Sequence, residues 1–96
     1  MTGWQFEDPP NVAVIANRRV VKGDDWIGLV YHDADDGAWQ FHINDPGPLK
    51  ESDAMVVSLK SIVQMDPSVA ELADLHRGWH AWRNSPASPW QRAETV

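Results

Sequence analysis

Residues 26–43 constrain the fold more than any other stretch, because they have the pattern of two β-strands joined by a tight turn. Large apolar side chains recur at every second position on both sides of the turn, at Ile27, Leu29, Tyr31, Trp39, Phe41 and Ile43. Facing residues of an antiparallel pair lie on the same side of the sheet. A three-residue loop, residues 35–37, pairs Tyr31 with Phe41, keeps one apolar face and places Gly37 where a left-handed residue is needed. The sequence therefore predicts a hairpin in this register.

The remaining elements are short and are separated by turn residues. The apolar run at residues 12–16 predicts a strand, residues 19–22 predict a second one, and residues 79–83 predict a last one. Ser58 is a candidate cap for a helix that ends at Asp66-Pro67, and a second short helix then begins at either Asp66 or Ser68. The prediction is an α+β fold, with a three- to four-stranded antiparallel meander and two short helices packed on one face.

The chain of 96 residues is long enough for one hydrophobic core. The sequence predicts a single domain over residues 1–96, made of three parts. Residues 1–11 form an irregular N-terminal arm, residues 12–83 form the core, and residues 84–96 form a tail of doubtful order.

Composition excludes several classes of protein. The formal net charge is −6, with only eight Lys and Arg residues, whereas nucleic-acid binders need a basic surface. Without cysteine there is neither a disulfide nor a thiolate metal site. No signal peptide and no run of membrane-spanning length is found. We therefore expect a cytoplasmic protein that binds neither nucleic acid nor membrane and holds no cofactor.

The charge is unevenly distributed along the chain. Residues 24–53 contain eight acidic residues against one base, Lys50, which gives this segment a net charge of −7. From His76 onward three arginines outweigh one glutamate, and this part also contains Trp79, Trp82 and Trp90. The acids have two interpretations: they solvate the loops of a small domain, or they form a binding surface for a basic partner.

Candidate catalytic and metal-binding residues have simpler alternative explanations. In residues 33–37 the third acid falls one place too early for a calcium loop, and the turn of a hairpin explains the pattern. His76 and His80 are four residues apart, but Gly78 interrupts any shared helix. His32 and His42 lie on the same predicted sheet face and could form an acid/base site with a nearby aspartate. The alternative is that both are ordinary half-buried polar residues, and we predict that the protein is not an enzyme.

Several short motifs resemble a known family. They are Ala16-Asn17-Arg18, Gly28-Leu29-Val30-Tyr31, Asp36-Gly37-x-Trp39-x-Phe41, Asp66-Pro67-Ser68, and Gly78 before a strand that ends in Trp82-Arg83. Together they resemble the bacterial immunity protein 33-like family, long catalogued as a domain of unknown function, over nearly the whole domain. The chain departs from the family pattern after the hairpin, where it carries Asn44-Asp45-Pro46-Gly47.

The resemblance implies an antitoxin-like protein that binds a cognate secreted toxin and blocks its site. Acidic residues would steer the chain to a basic toxin, and tryptophans with arginines would anchor it. The predicted partner-binding residues are Asp33, Asp35, Asp36, Asp45, Arg77, Trp79, Trp82 and Arg83. Two alternatives remain open: a housekeeping protein-interaction or oligomerisation module, and a small enzyme that uses His32 and His42. The oligomeric state is not predicted.

Overall fold

The computed structural model describes residues 3–44 and 51–95. In this part of the chain six strands form one mixed sheet in the order β4-β1-β3-β2-β5-β6. The strands are β1 (Ala13–Asn17), β2 (Leu29–His32), β3 (Trp39–His42), β4 (Ala54–Ser58), β5 (Trp79–Trp82) and β6 (Gln91–Glu94). Neighbours are antiparallel except β1 and β3, which are parallel. The α+β class is confirmed, but the sheet is larger than predicted and is not a meander.

Four helices lie in the described residues, and three of them begin at polar caps that satisfy free backbone N–H groups. Two of them are α-helices, α1 (Arg18–Val21) and α2 (Leu59–Met65), and two are 3-10 helices, Glu51–Asp53 and Pro67–Leu72. The Ser58 hydroxyl accepts a hydrogen bond from the Ser61 N–H at 3.1 Å, which confirms the predicted start of α2. Asp66, rather than Ser68, caps the second 3-10 helix.

One face of the sheet is covered by α2 and the 3-10 helix Pro67–Leu72, and we call it the covered face. Its strand residues and the inner side chains of these helices form the core, each at most 2% exposed: Val14, Ala16, Val30, Trp39, Phe41, Leu59, Ile62, Val69, Leu72 and Ala81. The N-terminal arm closes one side of this core. Phe6 lies edge-on to Trp39 with the ring centroids 5.2 Å apart, and the Trp39 indole N–H donates to Asp8 at 2.7 Å.

The hairpin exists, but its predicted register is wrong by one residue. Val30 pairs with Phe41 and Tyr31 with Gln40. The turn has four residues rather than three, since the Asp33 N–H donates to the Ala38 carbonyl at 2.8 Å across it. A shift of one residue moves every side chain of one strand to the opposite face. Leu29 and Tyr31, predicted for the core, therefore lie on the face away from the helices.

Three further differences come from contacts that are distant in sequence or from local capping. Residues 19–22 are not a strand, because the Asn17 side chain accepts from the Arg19 N–H at 2.9 Å and starts α1 there. Strand β4 was not predicted at all. The tail of doubtful order contains β6, which pairs with β5 and is extended by a 2.7 Å hydrogen bond from the Thr95 N–H to the Gly78 carbonyl.

No helix in residues 3–44 or 51–95 is both long enough and apolar enough to span a lipid bilayer.

Candidate binding face

The face of the sheet opposite the helices, which we call the open face, carries no formally charged strand residue. Its members follow from the register of the six strands: Ala13, Ile15, Asn17, Leu29, Tyr31, Gln40, His42, Ala54, Val56, Ser58, His80, Trp82, Gln91 and Ala93. Most of them are partly exposed. The chain has a net charge of −6, yet no Asp or Glu lies on the strands of this face. Such a surface suits contact with an uncharged or amphipathic surface of a partner.

Four rings form a row across three strands of the open face. Trp82 and His80 lie on β5 with ring centroids 5.4 Å apart, and His80 is 5.6 Å from Tyr31 on β2. Tyr31 in turn lies edge-on to His42 on β3 at 5.9 Å. Rings of this kind provide large apolar contact area with few rotatable bonds, which is why Trp and Tyr are frequent anchors at protein interfaces.

A chain of hydrogen bonds connects this row to the hairpin turn. The Gln40 amide nitrogen donates to the Asp33 carboxylate at 2.8 Å. Its oxygen therefore faces the His42 Nε2, 3.0 Å away, which carries the proton in this arrangement. The chain fixes the position of Asp33 at the border of the open face.

His42 is buried and holds one ring nitrogen without a partner. The residue is 4% exposed, and its Nδ1 has no hydrogen-bond partner among the described residues. Burial lowers the pKa of His42 below its usual value of 6.5, and the nearby Asp33 charge offsets only part of this effect. This shift favours the neutral form of His42.

The predicted residues Asp33, Asp35, Asp36 and Arg77 come together at the hairpin turn. Asp35 and Asp36 are exposed at its tip, and the Asp36 carboxylate accepts from the Ala38 N–H at 2.9 Å. Gly37 has a φ of 73°, as predicted for the left-handed position. A Cβ at this position would be 2.7 Å from the Arg77 Cζ, so the guanidinium lies directly over the glycine. We call residues 33–37 the acidic turn.

A cleft of about 400 Å³ lies beside the acidic turn, between the N-terminal arm and the segment that follows the second 3-10 helix. Its lining includes three acids, Glu7, Asp8 and Asp74, together with His32 and Arg77. The negative charge at this end of the molecule therefore comes from several separate segments of the chain. In the described residues no three His or acidic side chains are grouped closely enough to hold a metal ion.

Arg83 was predicted to bind a partner, but it is 2% exposed and belongs to the core. Its Nε donates to the Ile27 carbonyl and its Nη1 to the Ser68 hydroxyl, both at 2.9 Å, and its Nη2 pairs with Asp66. Trp90 covers the guanidinium at 4.3 Å from its ring centroid. Burial disfavours the Asp66 carboxylate, yet the Ser68 and Arg83 hydrogen bonds outweigh it and lower the pKa of Asp66. Arg83 is thus unavailable for partner contact.

The remaining predicted binding residues are divided between the faces. Trp82 is on the open face, whereas Trp79 pairs with His32 and is partly buried against the core on the covered face. Asp45 lies outside the described residues. Among the predicted residues, Asp33, Asp35, Asp36, Arg77 and Trp82 therefore remain candidates for a binding surface.

The prediction that His32 and His42 share a sheet face is wrong, so the alternative acid/base site that depended on it does not form: the two side chains are on opposite faces of the sheet. His32 pairs with Trp39 and stacks on its ring at 3.9 Å, and its Nδ1 is 2.7 Å from the Leu75 carbonyl. His42 pairs with Leu29 on the open face. The four-residue turn sets the strand register that places the two side chains on opposite faces.

Four residues of the open face were not predicted from the sequence: Leu29, Tyr31, Gln40 and His80. The alternation of apolar residues alone could not reveal the first two, because either loop length gives two alternating strands. The available signal was in the turn: Asp33 and Asp36 can each bond backbone or side-chain groups of the second strand, which favours the longer loop.

The fold and the open face define a small α+β protein with a mixed sheet and an uncharged aromatic surface. No protein-family model, no curated protein and no solved structure matches this chain. The relation to immunity proteins stays a prediction from the sequence motifs.

Proposed function

We propose that this chain is a non-catalytic immunity protein that neutralises a cognate secreted toxin by binding it through the open face and the acidic turn. One observation carries the proposal: a strand surface without formal charge, crossed by a row of rings, is bordered by exposed acids in residues 33–37. Protein interfaces have this arrangement, with aromatic residues at the centre, few charges there and a polar rim.

The charges specify the kind of partner. Asp35 and Asp36 are exposed and make no ion pair within the described residues. A basic surface on the partner would be attracted to them before contact, which raises the association rate at low salt. Trp82 and Tyr31 would then be buried at the centre and would slow dissociation. The resemblance to immunity proteins supports a toxin as this basic partner.

The test uses the product of the neighbouring gene as the binding partner. We expect co-expression to give a stable complex and to protect cells from the toxicity of that product. Reversal of both charges in an Asp35→Lys, Asp36→Lys double variant should weaken the complex at least tenfold, about 1.4 kcal/mol, at low salt. The effect should shrink as the ionic strength rises.

The matched control is the Asp24→Lys, Asp25→Lys double variant. It changes the net charge by the same amount at the opposite end of β2. It also removes a backbone bond, because Asp25 accepts from the Trp26 N–H at 2.9 Å as Asp36 accepts from the Ala38 N–H. Asp25 additionally pairs with Arg19 at 3.4 Å, so the folded state of this variant is checked by circular dichroism before binding is compared. We expect this variant to bind almost as well as the unmodified chain. Absence of a complex at low salt, or equal losses in both variants, would contradict the proposal.

The alternative of a housekeeping interaction or oligomerisation module is favoured by a different feature, the outer edge of β4, on which no described strand lies. The two functions differ in genomic context, since a toxin gene beside this one is expected only for an immunity protein. A neighbouring gene product that is harmless when expressed alone would favour the module.

A further inference from the structure

The two edge strands of the sheet differ in their chemistry. Strand β6 carries Arg92 and Glu94, and charged residues on an edge discourage pairing with other strands. Strand β4 has the sequence Ala-Met-Val-Val-Ser, without a charge, a proline or a glycine. An uncharged and β-branched edge strand favours the addition of another strand.

The backbone of β4 has hydrogen-bonding groups on its outer side that another strand could pair with. The Leu59 N–H donates to the Val12 carbonyl at 2.9 Å, in register with the β1/β4 ladder. Hydrogen-bonded and non-hydrogen-bonded pairs alternate along an antiparallel ladder. The groups that point to the outer edge are therefore the N–H groups of Ala54, Val56 and Ser58 and the C=O groups of Ala54 and Val56. The Ser58 C=O already accepts the first hydrogen bond of α2. No described strand lies on that side.

The side chains at this edge are also exposed. Val56 is 68% exposed, the most exposed large hydrophobic residue among the described ones. It lies on the open face beside Ile15. Removal of apolar surface from water favours association, so an interface that covers Val56 would be stabilised by its burial.

We propose that a second copy of this chain pairs with β4 in antiparallel orientation, around a two-fold axis at Val56. Val56 then faces Val56 of the partner subunit, and Ala54 faces Ser58 of the partner subunit. The outward N–H and C=O groups of the two copies are bonded to each other, and two six-stranded sheets become one continuous sheet.

Charge complementarity favours a second copy in this orientation. Asp53 precedes β4 and the exposed Lys60 follows it. In the antiparallel arrangement Asp53 of each copy lies near Lys60 of the partner subunit, whereas a parallel arrangement would bring like charges together. The seam is narrow compared with a standard protein interface, so we expect a dissociation constant in the micromolar range.

The test is the mass of the full chain in solution, by light scattering after size exclusion, at micromolar to millimolar concentration. We expect the mass to rise from 10.8 kDa to twice that value. Val56→Pro should abolish the dimer, because proline removes an outward N–H. Its monomer should stay folded, since that N–H has no partner among residues 3–44 and 51–95. Glu94→Pro is the matched control: Glu94 is also at an outward-facing position, on β6, and this variant should still dimerise.

A second variant tests the same contact in case Val56→Pro does not fold. Val56→Lys places two ammonium groups opposite each other and should also give a monomer with an unchanged far-UV circular dichroism spectrum. A chain that is monomeric at millimolar concentration overturns the proposal, and so does a dimer that persists in folded Val56→Lys. These results do not depend on a toxin, and therefore they leave the proposed function separately testable.

Discussion

Each face of the sheet buries one polar side chain, Arg83 on the covered face and His42 on the open face, and the two are bonded to different extents. On the covered face, the Arg83 guanidinium bonds Ile27, Ser68 and Asp66 and is capped by Trp90. On the open face, His42 is equally buried but keeps an Nδ1 without a partner in the described chain. A satisfied buried group stabilises the fold, whereas an unsatisfied one costs stability. The Trp90 Nε1 beside Arg83 also lacks a partner among the described residues, so an unpaired atom does not by itself distinguish the faces, and the His42 Nδ1 is too buried to contact a partner. The faces differ in exposure: the core lies on the covered face, whereas the rings of Tyr31, His80 and Trp82 are partly exposed on the open face.

The sharpest test of this comparison replaces one tryptophan on each face. Trp39→Ala removes a ring that is 2% exposed and should lower the free energy of unfolding by about 4 kcal/mol through the cavity it leaves. Trp82→Ala removes a partly exposed ring on the open face and should cost about 1 kcal/mol. Urea denaturation measures both. Equal losses would mean that the faces do not differ as described.

The next effect concerns the two arginines that the sequence predicted for binding. Arg83→Met leaves Asp66 without its ion-pair partner and should lower the free energy of unfolding by about 3 kcal/mol. Arg77→Met acts on an exposed side chain at the acidic turn and should cost less than about 0.5 kcal/mol. Chemical denaturation of the two variants separates these roles. A small loss in Arg83→Met would show that its buried bonds contribute little.

The smallest effect is the pH dependence from His42. Its pKa is lowered in the folded state, so the unfolded chain takes up the proton first as the pH falls below 6.5. Stability should therefore decline from that pH downward until it passes the folded pKa, with a slope of at most about 1.4 kcal/mol per pH unit.

His42→Gln should remove this decline, whereas His80→Gln leaves His42 in place and should retain it. Thermal denaturation between pH 5 and pH 7.5 measures this change in stability, which should have the size expected for the titration of one histidine. A decline that is identical in His42→Gln would assign it to other groups.

Local signals in the sequence located several elements correctly. Ser58 as a cap predicted the start of α2, Asp66-Pro67 its end, and Gly78 the start of β5. Each signal acts within a few residues, through a side chain that bonds the backbone or a glycine that takes a positive φ, here 83° at Gly78. Such signals need no knowledge of distant partners.

The prediction failed where the structure depends on distant contacts. Strand β2 pairs with one edge of β3, and β1 pairs with the other edge in parallel orientation. This pairing joins strands that are distant in sequence. The sequence of β6 has no strand pattern, and Arg92 helps to hold it through Asp74 and the Glu71 carbonyl, both 2.8 Å away. One additional residue in the turn exchanged the faces of Tyr31 and Val30. For the same reason the acids of the candidate site were predicted and most of its rings were not.

The most direct test of the central claim is a nuclear magnetic resonance titration of the isotope-labelled chain with the product of the neighbouring gene at low salt. We expect the indole N–H of Trp82 and the backbone amides of residues 33–37 to shift. The indole N–H of Trp39, which is bonded to Asp8 on the covered face, should not shift. Shifts confined to Trp39 and the helices, or no shift at all, would contradict the assignment of binding to the open face.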